Sequence, residues 1–148
     1  MQNILTTLET VISYMMGGRS VFTIVSQKSG KHYSFRVTQN KRNFRRFFVS
    51  ARINCPSPNR FAFKYIGRII YDHKDNRFES TPGSVVDESD LSFRSFKWYW
   101  EFLNNHKRLP ANTTLYHHGS CSACGRRLTD PLSIERGMGA TCWKNRRM

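Results

Sequence analysis

The stretch HHGSCSACGRRLTDPLSIERGMGATCWK, residues 117–144, holds three of the four cysteines of this chain and two of its five histidines. Cys121 and Cys124 form a C-x2-C pair, whose short turn lets two thiolates face one ion, and Cys142 follows farther along. Soft sulfur ligands favour zinc over the hard cations, and a closed tetrahedral zinc site needs four ligands. His117 supplies the fourth in the pattern H-x3-C-x2-C-x17-C, with His118 and Cys55 as rivals. The expected site is therefore Zn2+ held by His117, Cys121, Cys124 and Cys142. The third cysteine weighs against a redox pair, as does CSACGRRL, which reads as a knuckle turned at Gly125 rather than a strand entering a helix. A catalytic zinc would keep a water beside an acid or base. Asp130 and Glu135 lie in the loop, but the deaminase pattern H-x-E with P-C-x-x-C is absent. The metal is expected to be structural.

The segment CSACGRRLTDPLSIERGMGATC resembles a short zinc-ribbon-like module of unknown function found at the C-termini of many bacteriophage and prophage proteins. The pattern of that module runs C-x-x-C-G-R-x-L-T-x-P-x-S-I-x-x-G-x-G-x-x-C, and the match covers about residues 115–144. The earlier FTIVSQKSGKHYSFRV, the YIGRI run and the aromatic helix resemble more loosely the section that precedes it in such proteins. Ala140 stands where that family often has proline. The resemblance implies a phage origin, a metal-bound ribbon and, since a histidine commonly precedes the first cysteine, His117 as a ligand.

The chain around this module is strongly basic. Its formal net charge is +14, and residues 10–71 contain no Asp or Glu but twelve Lys and Arg. A single-sign field of this extent repels itself and attracts polyanions. In FRRFFVSAR, period-two alternation puts Phe44, Arg46, Phe48 and Ser50 on one face and Arg45, Phe47, Val49 and Ala51 on the other. The second face is the purer core candidate. The first mixes rings with a cation, as single-strand binders do to stack bases and hold phosphates. The expected nucleic-acid contacts are Lys41, Arg42, Phe44, Arg45, Arg46 and Phe48, with Arg126, Arg127, Arg146 and Arg147 added by the metal module.

Several elements must position these groups. Ile4, Leu5, Leu8, Val11, Ile12 and Met15 recur at helical steps, which predicts a helix over 3–16 stopped by Gly17-Gly18. From Val21 the period becomes two: VFTIVSQ and KHYSFRV read as a hairpin about Ser29-Gly30, followed by FRRFFVSARI and RFAFKYIGRIIYD. Gly67 marks a bulge or bend, and a last short strand falls near Arg77–Ser80. The helix SFRSFKWYWEFLNNH, capped by Asp90 or Ser92, carries Phe93, Phe96, Trp100 and Leu103 on one side, with Trp98, Tyr99 and Phe102 partly off it. The fold class expected is α+β: an N-terminal helix, then a four- to five-stranded antiparallel sheet or small barrel packed by the aromatic helix, then a zinc ribbon or knuckle. Residues 1–110 form the basic sheet domain and 111–148 the ribbon-like module.

No run approaches the ~18 apolar residues of a membrane span. The first residues lack a basic n-region and carry Glu9, so they do not read as a signal peptide, and the compartment expected is the cytoplasm, of a bacterial host if the chain is phage-encoded. The function expected is binding of single-stranded DNA or RNA with a structural zinc module, without catalysis. The alternative is an inhibitor or adaptor docking on an acidic host or phage protein. A nuclease would rest on Asp72, His73, Asp75 and Glu79, which read equally as a polar hairpin turn.

Overall fold

A computed structural model describes residues 3–53, 63–72 and 76–146. The elements run β1 (Ile4–Leu5), α1 (Leu8–Met15), β2 (Arg19–Ser26), β3 (His32–Gln39), β4 (Arg46–Arg52), β5 (Phe63–Tyr71), β6 (Asn76–Glu79), α2 (Leu91–His106), β7 (Thr113–His117), α3 (Pro131–Arg136) and α4 (Ala140–Lys144). Among the described residues the strands form one seven-stranded sheet in the order β1-β7-β2-β3-β4-β5-β6, with every pairing antiparallel. The class is α+β as expected, but the sheet is neither a barrel nor four- to five-stranded. It stays open because β1 and β6 end the strand order without pairing to each other. Two of the extra strands come from segments read otherwise. Ile4 and Leu5 pair with Tyr116 and Leu115, so helix α1 starts only at Leu8. Thr7 caps it in a box with Thr10, and that cap settles where strand gives way to helix. Residues 113–117, unassigned in the count of strands, form β7 between β1 and β2.

The hairpin of β2 and β3 turns about Gly30 at φ 73°, pairing Val25 with His32. Partnered residues in an antiparallel ladder share a face, so Phe22, Phe35, Val37, Val49, Ala51 and Phe47 fall on one side. All six are at most 2% exposed, and both helices pack over them. Tyr14 of α1 meets Phe22 edge-on at 6.3 Å, and Phe96 of α2 meets Phe35 at 5.1 Å. Phe93, Phe96, Trp100 and Leu103 are buried as the stripe predicted. Tyr99, read as partly off that stripe, is buried too, whereas Trp98 is 51% exposed. Asp90 caps the helix by accepting from the Ser92 N–H. The helix runs past Asn104-Asn105 to His106, where Lys107 takes the left-handed conformation. Among the described residues no helix is long and apolar enough to cross a membrane.

The bend expected at Gly67 is a register shift between β4 and β5 beside Val49 and Ser50. Phe48 pairs with Arg68 but Ser50 pairs with Tyr65, so one extra residue lies on β5. A Cβ at Gly67 would sit 2.6 Å from the Glu79 carbonyl and 2.7 Å from the Phe78 ring, so neither backbone nor core could yield cheaply. Gly67→Ala should cost about 2 kcal/mol by overpacking, read as a lower urea midpoint at unchanged slope.

Tyr14 makes a second check. Its hydroxyl donates to the Val21 carbonyl at 2.7 Å and accepts from the Val21 N–H at 3.2 Å, while burial pushes its pKa from 10.0 to about 12. Because the unfolded chain ionises this phenol first, it binds fewer protons than the folded chain above pH ~10, and folding stability falls as pH rises. Between pH 10 and 12 the wild type should therefore lose stability that Tyr14→Phe does not, as measured by denaturation at a series of alkaline pH values.

Candidate metal centre

β7 delivers the chain to the cysteines. After His117, Gly119 at φ 88° turns it, and Ser120 bridges Arg127 to close a small loop. Inside that loop Cys121 N–H donates to the Arg126 carbonyl at 2.8 Å and Gly125 N–H to the Cys121 carbonyl at 2.9 Å. Gly125 sits at φ 80°, the turn a knuckle needs and few side chains tolerate. Asp130 then caps α3 through the Ser133 N–H at 3.0 Å, with Pro131 at its first position and Gly137 ending it at φ 73°. Gly139, by contrast, has φ −65° and caps α4, which carries Cys142.

The three sulfurs of Cys121, Cys124 and Cys142 lie within 4.8 Å of one another. Tetrahedral bonds of ~2.3 Å from a zinc-like ion place sulfurs about 3.8 Å apart, so the cluster is compatible with one ion. Cys121 is buried, Cys142 half-buried and Cys124 exposed. Burial alone would raise the Cys121 pKa. The backbone N–H groups of Cys124, Gly139 and Ala123, directed at its sulfur, outweigh that and lower it. Burial and the neighbouring Cys121 and Cys124 thiols push Cys142 up to about 11. One thiolate is thus favoured by the backbone, and the next is opposed by the first. A cation between them removes that opposition, so the donor set fits a metal that displaces thiol protons.

His117 stands apart from this cluster. It lies on the helix side of the sheet, its ring 5.5 Å from that of Tyr14 and its residue 2% exposed. Nδ1 accepts from the Gly119 N–H at 3.0 Å, which leaves Nε2 to carry the proton and donate to the Ile134 carbonyl at 2.6 Å. Burial lowers its pKa, in keeping with a neutral ring. Both nitrogens are therefore engaged, one clamping the turn before Cys121 and the other the helix that leads towards Cys142. Of the rivals, His118 bonds Thr23 Oγ1 through Nε2 at 3.0 Å, and Cys55 lies outside the described residues.

The basic residues fall in three places. Lys41, Arg42, Phe44, Arg45, Arg46 and Phe48 are all exposed, Phe44 at 61% and Phe48 at 38%. Phe44 belongs to the turn before β4 rather than to the strand, and Asn40 and Asn43 accept from the Arg42 and Arg45 N–H groups to shape that turn. Arg126 and Arg127 are exposed on the knuckle. Arg146 is engaged elsewhere: it stacks 3.6 Å over Trp143, donates to the Trp143 carbonyl and pairs with Glu9. Arg147 lies outside the described residues, as do His73 and Asp75, while Glu79 pairs with Arg68 at 3.2 Å.

Sequence reasoning missed four contributors. Arg36, Arg68 and Tyr65 join Phe48 on the sheet face opposite the helices, Tyr65 edge-on to it at 6.0 Å. Simple alternation puts residues 65 and 68 on opposite faces. The extra residue beside Gly67 reverses the parity, so the glycine was the available signal. Arg19 docks the knuckle: its N–H donates to the Ser122 carbonyl at 2.7 Å and its side chain to the Cys124 carbonyl at 3.2 Å.

Each of Cys121→Ser, Cys124→Ser and Cys142→Ser should abolish stoichiometric metal in the purified chain, read by elemental mass spectrometry. With its nitrogens spent on Gly119 and Ile134, His117→Gln should retain the metal but lower thermal stability; a loss of metal equal to that in the cysteine variants would make His117 a ligand.

Residues 111–147, about a quarter of the chain, are similar to a family described only as one of unknown function, DUF6011. No curated protein and no solved structure matches the chain.

Proposed function

We propose that this is a non-catalytic, phage-type protein of the bacterial cytoplasm that binds single-stranded nucleic acid, with a structural zinc ion setting the shape of its C-terminal module. The observation that supports this reading is the make-up of the sheet face opposite the helices. Arg36, Arg46 and Phe48 are exposed on it, beside the half-buried Tyr65, whose hydroxyl accepts from Thr81, and Arg68, which pairs with Glu79. Arg36 also lies 5.2 Å over the Phe63 ring. Rings that stack bases in any sequence, interleaved with guanidinium groups that reach phosphates, make an electrostatic and stacking platform. The turn carrying Lys41, Arg42 and Arg45 extends this charge past the strand ends, and Arg126 and Arg127 add to it from the knuckle. Zinc is the ion that three clustered thiolates favour, and its role in this reading is to hold the knuckle against α4.

A second reading is favoured by a separate feature. Trp98, 51% exposed, and Phe102 lie ring to ring at 5.7 Å on the outer side of α2, with Arg108 5.0 Å over Phe102. Exposed aromatics beside a cation suit a protein partner, as an adaptor or inhibitor would need.

Fluorescence anisotropy with labelled single-stranded DNA, duplex DNA and single-stranded RNA across a salt series separates the two. Sub-micromolar binding to a single strand is expected, weakened about tenfold by Phe48→Ala, with Arg46→Ala reducing the log–log salt slope by about 0.7. Weak binding alike to all three forms, lost near physiological salt and indifferent to Phe48→Ala, would turn the charge over to a protein partner.

A further inference from the structure

A cavity of about 370 Å³ opens between the sheet's helix side and the metal module. Met16, the C-cap of α1, and Met138 of the module are among its apolar walls, Phe44 stands at its exposed rim, and Gln39, Asn145 and Arg146 bring polar groups into it. Among the described residues no Asp or Glu lines it, and Cys142, which does, belongs to the sulfur cluster. The cavity's size is that of small-molecule and cofactor sites. Thioethers fill and adapt to irregular flat shapes, and an aromatic ring at the rim offers a stacking surface. Gln39 donates through Nε2 to the Phe44 carbonyl at 2.9 Å, which pins the ring's backbone and leaves Oε1 as an acceptor. Asn145 carries a second amide, at an exposed position, with both donor and acceptor. The Arg146 Nε–H is buried and has no partner among the described residues, a donor that a ligand would satisfy.

The position matters as much as the lining. Phe44 belongs to the turn that leads into Arg46 and Phe48, so the rim of the cavity continues the basic aromatic face around the strand ends. Lys41, Arg42 and Arg45 are exposed on that same turn. A polyanion following these cations passes the cavity mouth, and the group it carries that is flat, apolar on its faces and polar on its edge is a base. We propose that this cavity takes one unstacked nucleobase, stacked at Phe44 and read along its edge by Gln39 and Asn145. For a base within a strand, this rests on the nucleic-acid reading above; a free nucleotide presents the same chemistry.

The test uses the full metal-loaded chain and a labelled single strand of about 12 nucleotides, intact or with one abasic position moved along it. One abasic position should weaken binding about tenfold. Asn145→Trp, which fills the cavity from an exposed position, should weaken the intact strand about as much and the abasic strand not at all, with the salt slope unchanged. Gln39→Ala is the second variant, and wild-type circular dichroism and metal content establish that each folds. Tight, salt-dependent binding that every abasic strand matches within twofold would overturn the cavity and leave the surface reading standing. If no strand binds, the surface reading falls, and mononucleotides judge the cavity: shifts of the Met16 and Met138 methyl resonances with a nucleoside monophosphate would uphold it, and their absence would overturn it.

Discussion

The insertion of β7 between β1 and β2 is the constraint on which the rest of this molecule depends. Its ladder joins residues some ninety positions apart, pairing Phe22 with His117 and Thr23 with Tyr116. Closing that distance costs chain entropy before any contact repays it, and the repayment is a continuous run of backbone hydrogen bonds on both sides of one strand. Once β7 is seated, the turn at Gly119 and the knuckle after it have little freedom. Arg19, the first residue of β2, then holds the knuckle's carbonyls directly. The cysteine module is thus an outgrowth of the sheet. Its own buried apolar set, Cys121, Leu128 and Met138, is too small to hold a fold alone, so it relies on this docking and on whatever ion its thiolates share.

A second dependency runs through the opposite end of the sheet. The extra residue beside Gly67 puts Tyr65 and Arg68 on the face of Phe48, and that concentrates rings and cations on the side away from the helices. The same bulge brings β5 against Phe78 so closely that only glycine fits. One backbone irregularity therefore serves both faces: it closes the core beneath α2 and composes the surface above it. The acid-free composition of residues 10–71 is tolerable in this arrangement because its described cations are exposed apart from the half-buried Arg68, and Glu79 offsets Arg68 and Arg77 where β5 meets β6.

The histidines show how a motif and a fold can divide the work of one segment. His117 has the spacing of a ligand, yet its two nitrogens tie the turn before Cys121 to α3. Such bonds set the approach of one thiol to another. Gly137 makes the same point from the other side, since a Cβ there would press 2.5 Å from the Tyr14 ring that packs against His117. α1, β7 and α3 meet around that histidine, and the sulfur cluster sits just beyond.

Much of this was legible in the residues. The hairpin at Gly30, the core parity of Phe47, Val49 and Ala51, the aromatic stripe of α2 and the grouping of three cysteines all follow from periods and spacings within about twenty residues, where local sterics set the geometry. The exposure of Arg46 and Phe48 followed from the same alternation, whereas Arg45, placed by it with the core residues, is exposed because it lies in the turn before β4. What was not legible has a common cause. Ile4-Leu5 fits a helix or a strand equally well until Leu115 and Tyr116 arrive to pair with it, and the parity of β5 depends on which residue of β4 faces it. The seven-strand count and the cavity beside Arg146 were settled in the same way, by partners far along the chain. Short-range stereochemistry is written into neighbouring residues, whereas strand pairing and the engagement of polar groups are a competition among distant partners that is decided when the core closes.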